Sequence, residues 1–118
     1  MRVAGIARTP EPPYYAVVFT SRRTAEDDEG YATMSDEIEA LVVRQPGYLG
    51  MESVRGAEGV GITVAYFTDP ESIRAWKQQE EHRIAQRLGR EKWYQAYSIR
   101  VCRVERAYGW ERDSAGAG

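Results

Sequence analysis

The sequence has one cysteine, Cys102, and one histidine, His82, and it contains no asparagine at all. A lone cysteine excludes an intrachain disulfide and any cysteine-based zinc cluster. A lone histidine cannot build a multi-histidine metal site. Long hydrophobic runs are also missing, and none approaches the ~18 residues of a membrane-spanning helix. The first 13 residues hold no apolar stretch of the kind a secretory signal needs. Lysine is scarce, and an excess of positive charge is absent: 16 basic against 18 acidic side chains leave a net charge of −2. Residues 1–59 carry six basic and ten acidic groups, and residues 60–118 carry ten and eight. Neither half is polarised enough for a nucleic-acid or anionic-membrane partner. A soluble cytoplasmic protein is expected.

What is present suits one ordinary domain. The 118 residues are 42% hydrophobic, 29% charged and 11% aromatic, and a chain of this length can bury a core without staples. The ends look loose. Residues 1–13 include Pro10, Pro12 and Pro13, which disfavour helix and sheet. In the tail 111–118, Asp113–Gly118 is small, polar and rich in glycine and alanine. The folded domain is expected over 14–110.

Within it, Tyr14–Ser21 is rich in β-branched and aromatic residues and reads as a strand. Acidic residues 26–29 then suit a helix N-terminus, and Tyr31, Met34, Ile38, Leu41 and Val42 recur at helical spacing. Pro46-Gly47 ends that helix. Two strands follow, Tyr48–Val54 and Val60–Thr68, with a hairpin-like Arg55–Gly59 between them. Asp69-Pro70 opens a second helix carrying Ile73, Trp76, Ile84, Ala85 and Leu88. Its apolar period stumbles at Gln78–Glu81, which predicts a break there, and Gly89 is its expected end. A last strand spans Tyr94–Tyr108. The order β-α-β-β-α-β is the split βαβ, ferredoxin-like pattern of an α+β domain. It implies a four-stranded antiparallel sheet with both helices on one face.

A sheet covered on one side alternates apolar and polar residues. Here both faces are partly apolar: Tyr15, Val17 and Phe19 oppose Ala16 and Val18, and Val60, Ile62, Val64 and Tyr66 oppose Ala65 and Phe67. Two helices cannot cover both faces. The simplest second layer is another copy of the chain, so a homodimer is expected.

Catalytic signals are sparse. No Gly-x-Ser-x-Gly elbow is present, and the glycine-rich stretch 56–61 does not open a helix as a phosphate loop would. Cys102 sits mid-strand as a structural thiol. The aromatic content fits an apolar ligand pocket. Trp76 is read either as a core anchor or as a pocket wall, and Trp93, Tyr94 and Trp110 as packing residues. His82, beside Glu80 and Glu81, is read either as a solvated helix residue or as an acid–base group.

The chain resembles the antibiotic biosynthesis monooxygenase family of dimeric α+β barrels. The resemblance rests on Gln45–Gly50, Gly61–Phe67, Ala75-Trp76, Glu81–Arg83, Ala85–Arg90, Trp93-Tyr94, Tyr97 and Arg100–Arg106 with Tyr108-Gly109. It implies the fold already read from the pattern. It also implies an oxygenase working without a cofactor on an aromatic or polyphenolic small molecule, with His82 or a Tyr hydroxyl as catalytic base and Phe19, Tyr66 and Trp76 against the substrate. Quinone-forming members have Asn and Trp before the second helix, where this chain has Thr63 and Phe67. A haem-binding or haem-degrading protein is the alternative, since those relatives also carry a Trp and then a His in the second helical region. They use an Asn on the first strand, near Thr20 or Ser21 here. A non-enzymatic small-molecule-binding dimer is the third reading.

Overall fold

The computed structural model describes residues 5–86 and 89–112. Four strands and three helices follow one another as β1 (Tyr14–Arg23), α1 (Asp28–Val42), β2 (Tyr48–Arg55), β3 (Val60–Phe67), α2 (Pro70–Gln86), α3 (Gly89–Trp93) and β4 (Tyr94–Val104). The strands form one antiparallel sheet in the order β2-β3-β1-β4. This is the ferredoxin-like arrangement expected from the sequence. No helix among the described residues is long and apolar enough to cross a membrane.

β1 is central and pairs along its length with β3 and β4. Val17 stands opposite Ala65 and Val101, and Phe19 opposite Thr63 and Ile99. Because side chains alternate, the odd-numbered residues of β1 face the helices. There Val17, Ala65 and Phe67 pack with Val42 of α1 and with Ile73 and Trp76 of α2. A second cluster joins Met34 of α1 and Ile84 of α2 to Trp93 and Tyr94.

Local chemistry sets the helix starts. Asp27 accepts the Gly30 amide at 3.1 Å and the Trp93 indole N–H at 3.2 Å, which caps α1 and ties it to α3. Asp69 accepts the Ser72 amide at 2.8 Å and so caps α2. Between α1 and β2, Gly47 has φ +83°, and a Cβ there would lie 2.3 Å from the Ser72 hydroxyl. Only glycine fits both the backbone angle and the space.

Beyond shifts of one or two residues at the ends of β1, β2 and β3, the structure differs from the sequence reading at α2, α3 and β4. α2 runs unbroken through Gln78–Glu81 to Gln86. Glutamine and glutamate are good helix formers, and the polar residue on the inward face, Glu80, is paired within the helix to Lys77. Gly89 opens the short α3 and does not close α2, while Leu88 lies outside the described residues. β4 ends at Val104, so Glu105–Tyr108 extends past the sheet.

The far face of the sheet is covered in part by the chain's own N-terminal segment. The Ala7 amide donates to Glu52 Oε2 at 3.1 Å, and the Thr9 hydroxyl donates to the Tyr14 hydroxyl at 2.8 Å. The other oxygen of Glu52 accepts the Tyr66 hydroxyl at 2.7 Å. Tyr14 and Ala16 are buried beneath this layer, whereas Val54, Val60 and Ile62 remain exposed at the other end.

The caps have a pH signature. The Trp93 indole and the Gly30 amide hold the Asp27 carboxyl below its ordinary range, and the Ser72 amide and Thr68 hydroxyl do the same for Asp69. A lowered carboxylate contributes stability that is fully present above the unfolded value, about pH 4. That contribution is lost as pH falls through the folded value. Asp27→Asn keeps a cap but removes the titration. Its thermal unfolding midpoint, followed by circular dichroism, is expected to fall less steeply below pH 4 than that of the wild type.

Candidate ligand cavity

A cavity of about 370 Å³ lies between the sheet and the two long helices. Its floor is Val17, Phe19, Met51 and Ala65 of the sheet, and its roof includes Met34 and Ile38 of α1 and Trp76 of α2. Polar side chains enter it from α1, where Ser35 and Glu39 lie, and at three further places. Ser53 and Thr63 share a hydrogen bond of 2.8 Å across β2 and β3. Lys77 and Glu80 reach it from α2 as a hydrogen-bonded ion pair, with side chains only 16% and 15% exposed. Arg55, Tyr31 and Tyr94 stand at the end of the cavity where β2 finishes.

Phe19 anchors an aromatic wall. Its ring stacks on Tyr97 with centroids 5.1 Å apart and meets Tyr94 edge-on at 5.8 Å. Tyr94 in turn meets Tyr31 at 5.9 Å. The Lys77 ammonium sits 5.0 Å above the Phe19 ring, a cation–π contact. Burial, and then the neighbouring Tyr31, raise the Tyr94 hydroxyl well above its ordinary value.

The four residues singled out from the sequence separate into two pairs. Phe19 and Trp76 both line the cavity, Trp76 with 3% exposure. His82 is exposed on α2 and is not part of the lining. Tyr66 lies on the opposite face of the sheet, where its hydroxyl serves Glu52. Burial and the adjacent Glu52 carboxylate raise that hydroxyl as well.

Neither the single histidine nor the single cysteine lines the cavity: His82 is exposed on α2 and Cys102 on β4, so the histidine ligation of haem iron expected from the resemblance has no counterpart there. Thr63, at the position where quinone-forming relatives carry Asn, does line the cavity, whereas Phe67 is wholly buried in the core.

Sequence reasoning passed over Lys77, Glu80, Arg55 and Tyr31. The signal for Glu80 was present. Positions 73, 76, 80 and 84 lie along one helix face, so the stumble in the apolar period marks the residue that meets the cavity. The signal for Arg55 was Gly61, since a glycine inside a strand often marks a close approach.

Residues 14–88 match the Antibiotic biosynthesis monooxygenase family. The chain belongs to that family. An uncharacterized Bacillus subtilis protein, YqjZ, is 46% identical over 101 residues, covering 86% of this chain and 88% of its own. SnoaB, a cofactor-independent oxygenase from Streptomyces nogalater, superposes with a TM-score of 0.65 at 12% identity, over 81% of this chain and 97% of SnoaB. A Nitrosomonas europaea protein of unknown function gives a TM-score of 0.67 at 10% identity, over 85% of this chain and 97% of its own. At these identities the two structures show a shared fold.

The Lys77–Glu80 pair is open to a direct test. Removing one partner leaves a half-buried charge uncompensated, whereas removing both does not. In urea unfolding, Lys77→Met or Glu80→Leu alone is expected to cost about 2 kcal/mol. The double variant is expected to recover most of that loss.

Proposed function

We propose that the protein is an oxygenase that acts without a cofactor on a planar aromatic or polyphenolic molecule held in the cavity. The observation that carries this reading is the cavity itself: about 370 Å³, walled by Phe19 and Trp76, with a cation and a carboxylate at one side. Pockets of this size and lining suit small ligands. Membership of the monooxygenase family and the likeness to a cofactor-independent oxygenase support it.

In this reading the substrate ring lies against Phe19 and Trp76. Glu80 accepts a proton from the substrate, and the Lys77 ammonium faces the oxyanion that develops. A substrate CH2 loses both hydrogens and becomes a carbonyl. One atom of dioxygen goes to that carbon, and the other leaves as water with the two hydrogens. All four electrons come from the substrate and from no metal or coenzyme. The dry, apolar floor replaces solvent around the anion.

A panel of anthrones and hydroxynaphthalenes, read by oxygen uptake, tests the reading. Turnover of one of them is expected, and Ala65→Leu, which fills the floor, is expected to abolish it without loss of fold. Trp76→Phe is expected to raise KM about fivefold, the order of one partly lost aromatic contact. His82→Phe is expected to leave kcat and KM within about twofold, because the imidazole does not reach the cavity. A protein that binds without turnover is the second reading, favoured by the solvent-facing position of the histidine. Saturable binding blocked by Ala65→Leu, with no oxygen uptake, would select it.

We also infer that the uncovered end of the far sheet face takes a second copy of the chain. Val54 is 71% and Ile62 43% exposed there, side by side on β2 and β3. Light scattering is expected to give twice the chain mass, and Ile62→Asp is expected to return it to one. A wild-type monomer at micromolar concentration would remove this inference.

A further inference from the structure

Arg55 is the basic group lining the cavity that has no carboxylate partner among the described residues. Its guanidinium donates to the Ser21 hydroxyl at 2.8 Å, to the Tyr31 hydroxyl at 3.2 Å and to the Gly59 carbonyl. All three acceptors are neutral, and among the described residues no carboxylate pairs with Arg55. The other basic groups nearby are satisfied. Lys77 is paired with Glu80, and Arg23, stacked 3.9 Å from the Tyr31 ring, is paired with Asp28 at 2.5 Å. The second carboxylate in the lining, Glu39, lies eight residues along α1 from Tyr31 (39 − 31), which is about 12 Å of helical rise.

The arginine is also deliberately placed. It ends β2 opposite Gly61 of β3, and Gly61 stands opposite Ser21 of β1. A Cβ on Gly61 would lie 2.7 Å from the Arg55 Cζ. The missing side chain therefore lets the guanidinium lie flat across β3 and reach the buried Ser21. Three neutral contacts fix its plane, and the cavity lies beside it. Both Nη2 hydrogens and one Nη1 hydrogen are committed to these contacts, so a carboxylate would be received by the positive charge and one remaining N–H, as a single charge-assisted hydrogen bond.

We infer that Arg55 selects ligands that carry a carboxylate on the aromatic frame. The carboxylate would lie at the Arg55 end and the rings over Phe19 and Trp76. This inference rests on the cavity being the ligand site, as proposed above.

The test compares 2-naphthoate with the neutral, similarly shaped 2-naphthamide, by calorimetry on the full chain. Wild-type protein is expected to prefer the acid by about tenfold, the scale of one charge-assisted hydrogen bond near solvent. The preference should shrink at high salt. Arg55→Gln is expected to abolish it while naphthamide still binds. Gly61→Ala is expected to reduce it too, because the added methyl displaces the guanidinium but leaves its charge on the chain. Equal affinity for both probes in the wild type would overturn the inference and leave the cavity reading standing. So would a preference that survives Arg55→Gln, which would place the anion elsewhere. If neither probe binds, or if Ala65→Leu leaves both affinities unchanged, the cavity reading falls and this inference falls with it.

Discussion

The register of β1 decides nearly everything else in this molecule. The strand is hydrogen-bonded on both sides, so its period-two alternation fixes which residues of β3 and β4 share each face. Val17, Phe19 and Ser21 are set toward the helices, where they become the cavity floor, the aromatic wall and the anchor for Arg55. Tyr14 and Ala16 are set away from it, under the N-terminal segment. A slip of one residue would exchange these two sets and leave neither face with its partner.

Against that fixed floor, α2 determines how much space remains. Trp76 and Ile73 close one end of the helix onto the sheet, and Ile84 closes the other. Between them, at the inward position where another apolar residue would pack, stands Glu80 paired with Lys77. An ion pair cannot collapse into an apolar floor without losing its remaining water, so the helix bridges the gap. The cavity thus follows from one polar substitution in an otherwise regular apolar stripe, and the good helix propensity of the residues around it keeps α2 continuous.

Much of the fold was legible because strand and helix periods, the Asp69-Pro70 start and the Pro46-Gly47 stop all agree. The break expected at Gln78–Glu81 failed for an instructive reason. An interrupted apolar pattern signals either a broken helix or an unbroken helix facing something polar, and periodicity alone does not tell them apart. Trp76 and Phe19 were legible as cavity residues because they are large aromatics on faces already assigned to the interior. Tyr66 shared its strand with such residues but has the opposite parity to Ala65 and Phe67, which sends it to the far face. His82 drew notice as the only histidine, yet it falls two residues from Ile84 and so turns away from the buried stripe. Arg55 was hidden because its role depends on a neighbouring strand, through Gly61, and not on its own sequence context.

The clasp at Glu52 changes where this domain begins. One carboxylate oxygen takes the Ala7 amide and the other takes the Tyr66 hydroxyl, so the N-terminal segment is fastened to the edge strand β2. The match to the family starts only at residue 14. A boundary drawn there would unroof Tyr14 and Ala16 and strip one partner from Glu52. It would also lay bare a continuous apolar strip running from Tyr14 to Ile62 across the strand pairs. The contacts of the sheet thus reach upstream of the family match, to Ala7 and Thr9.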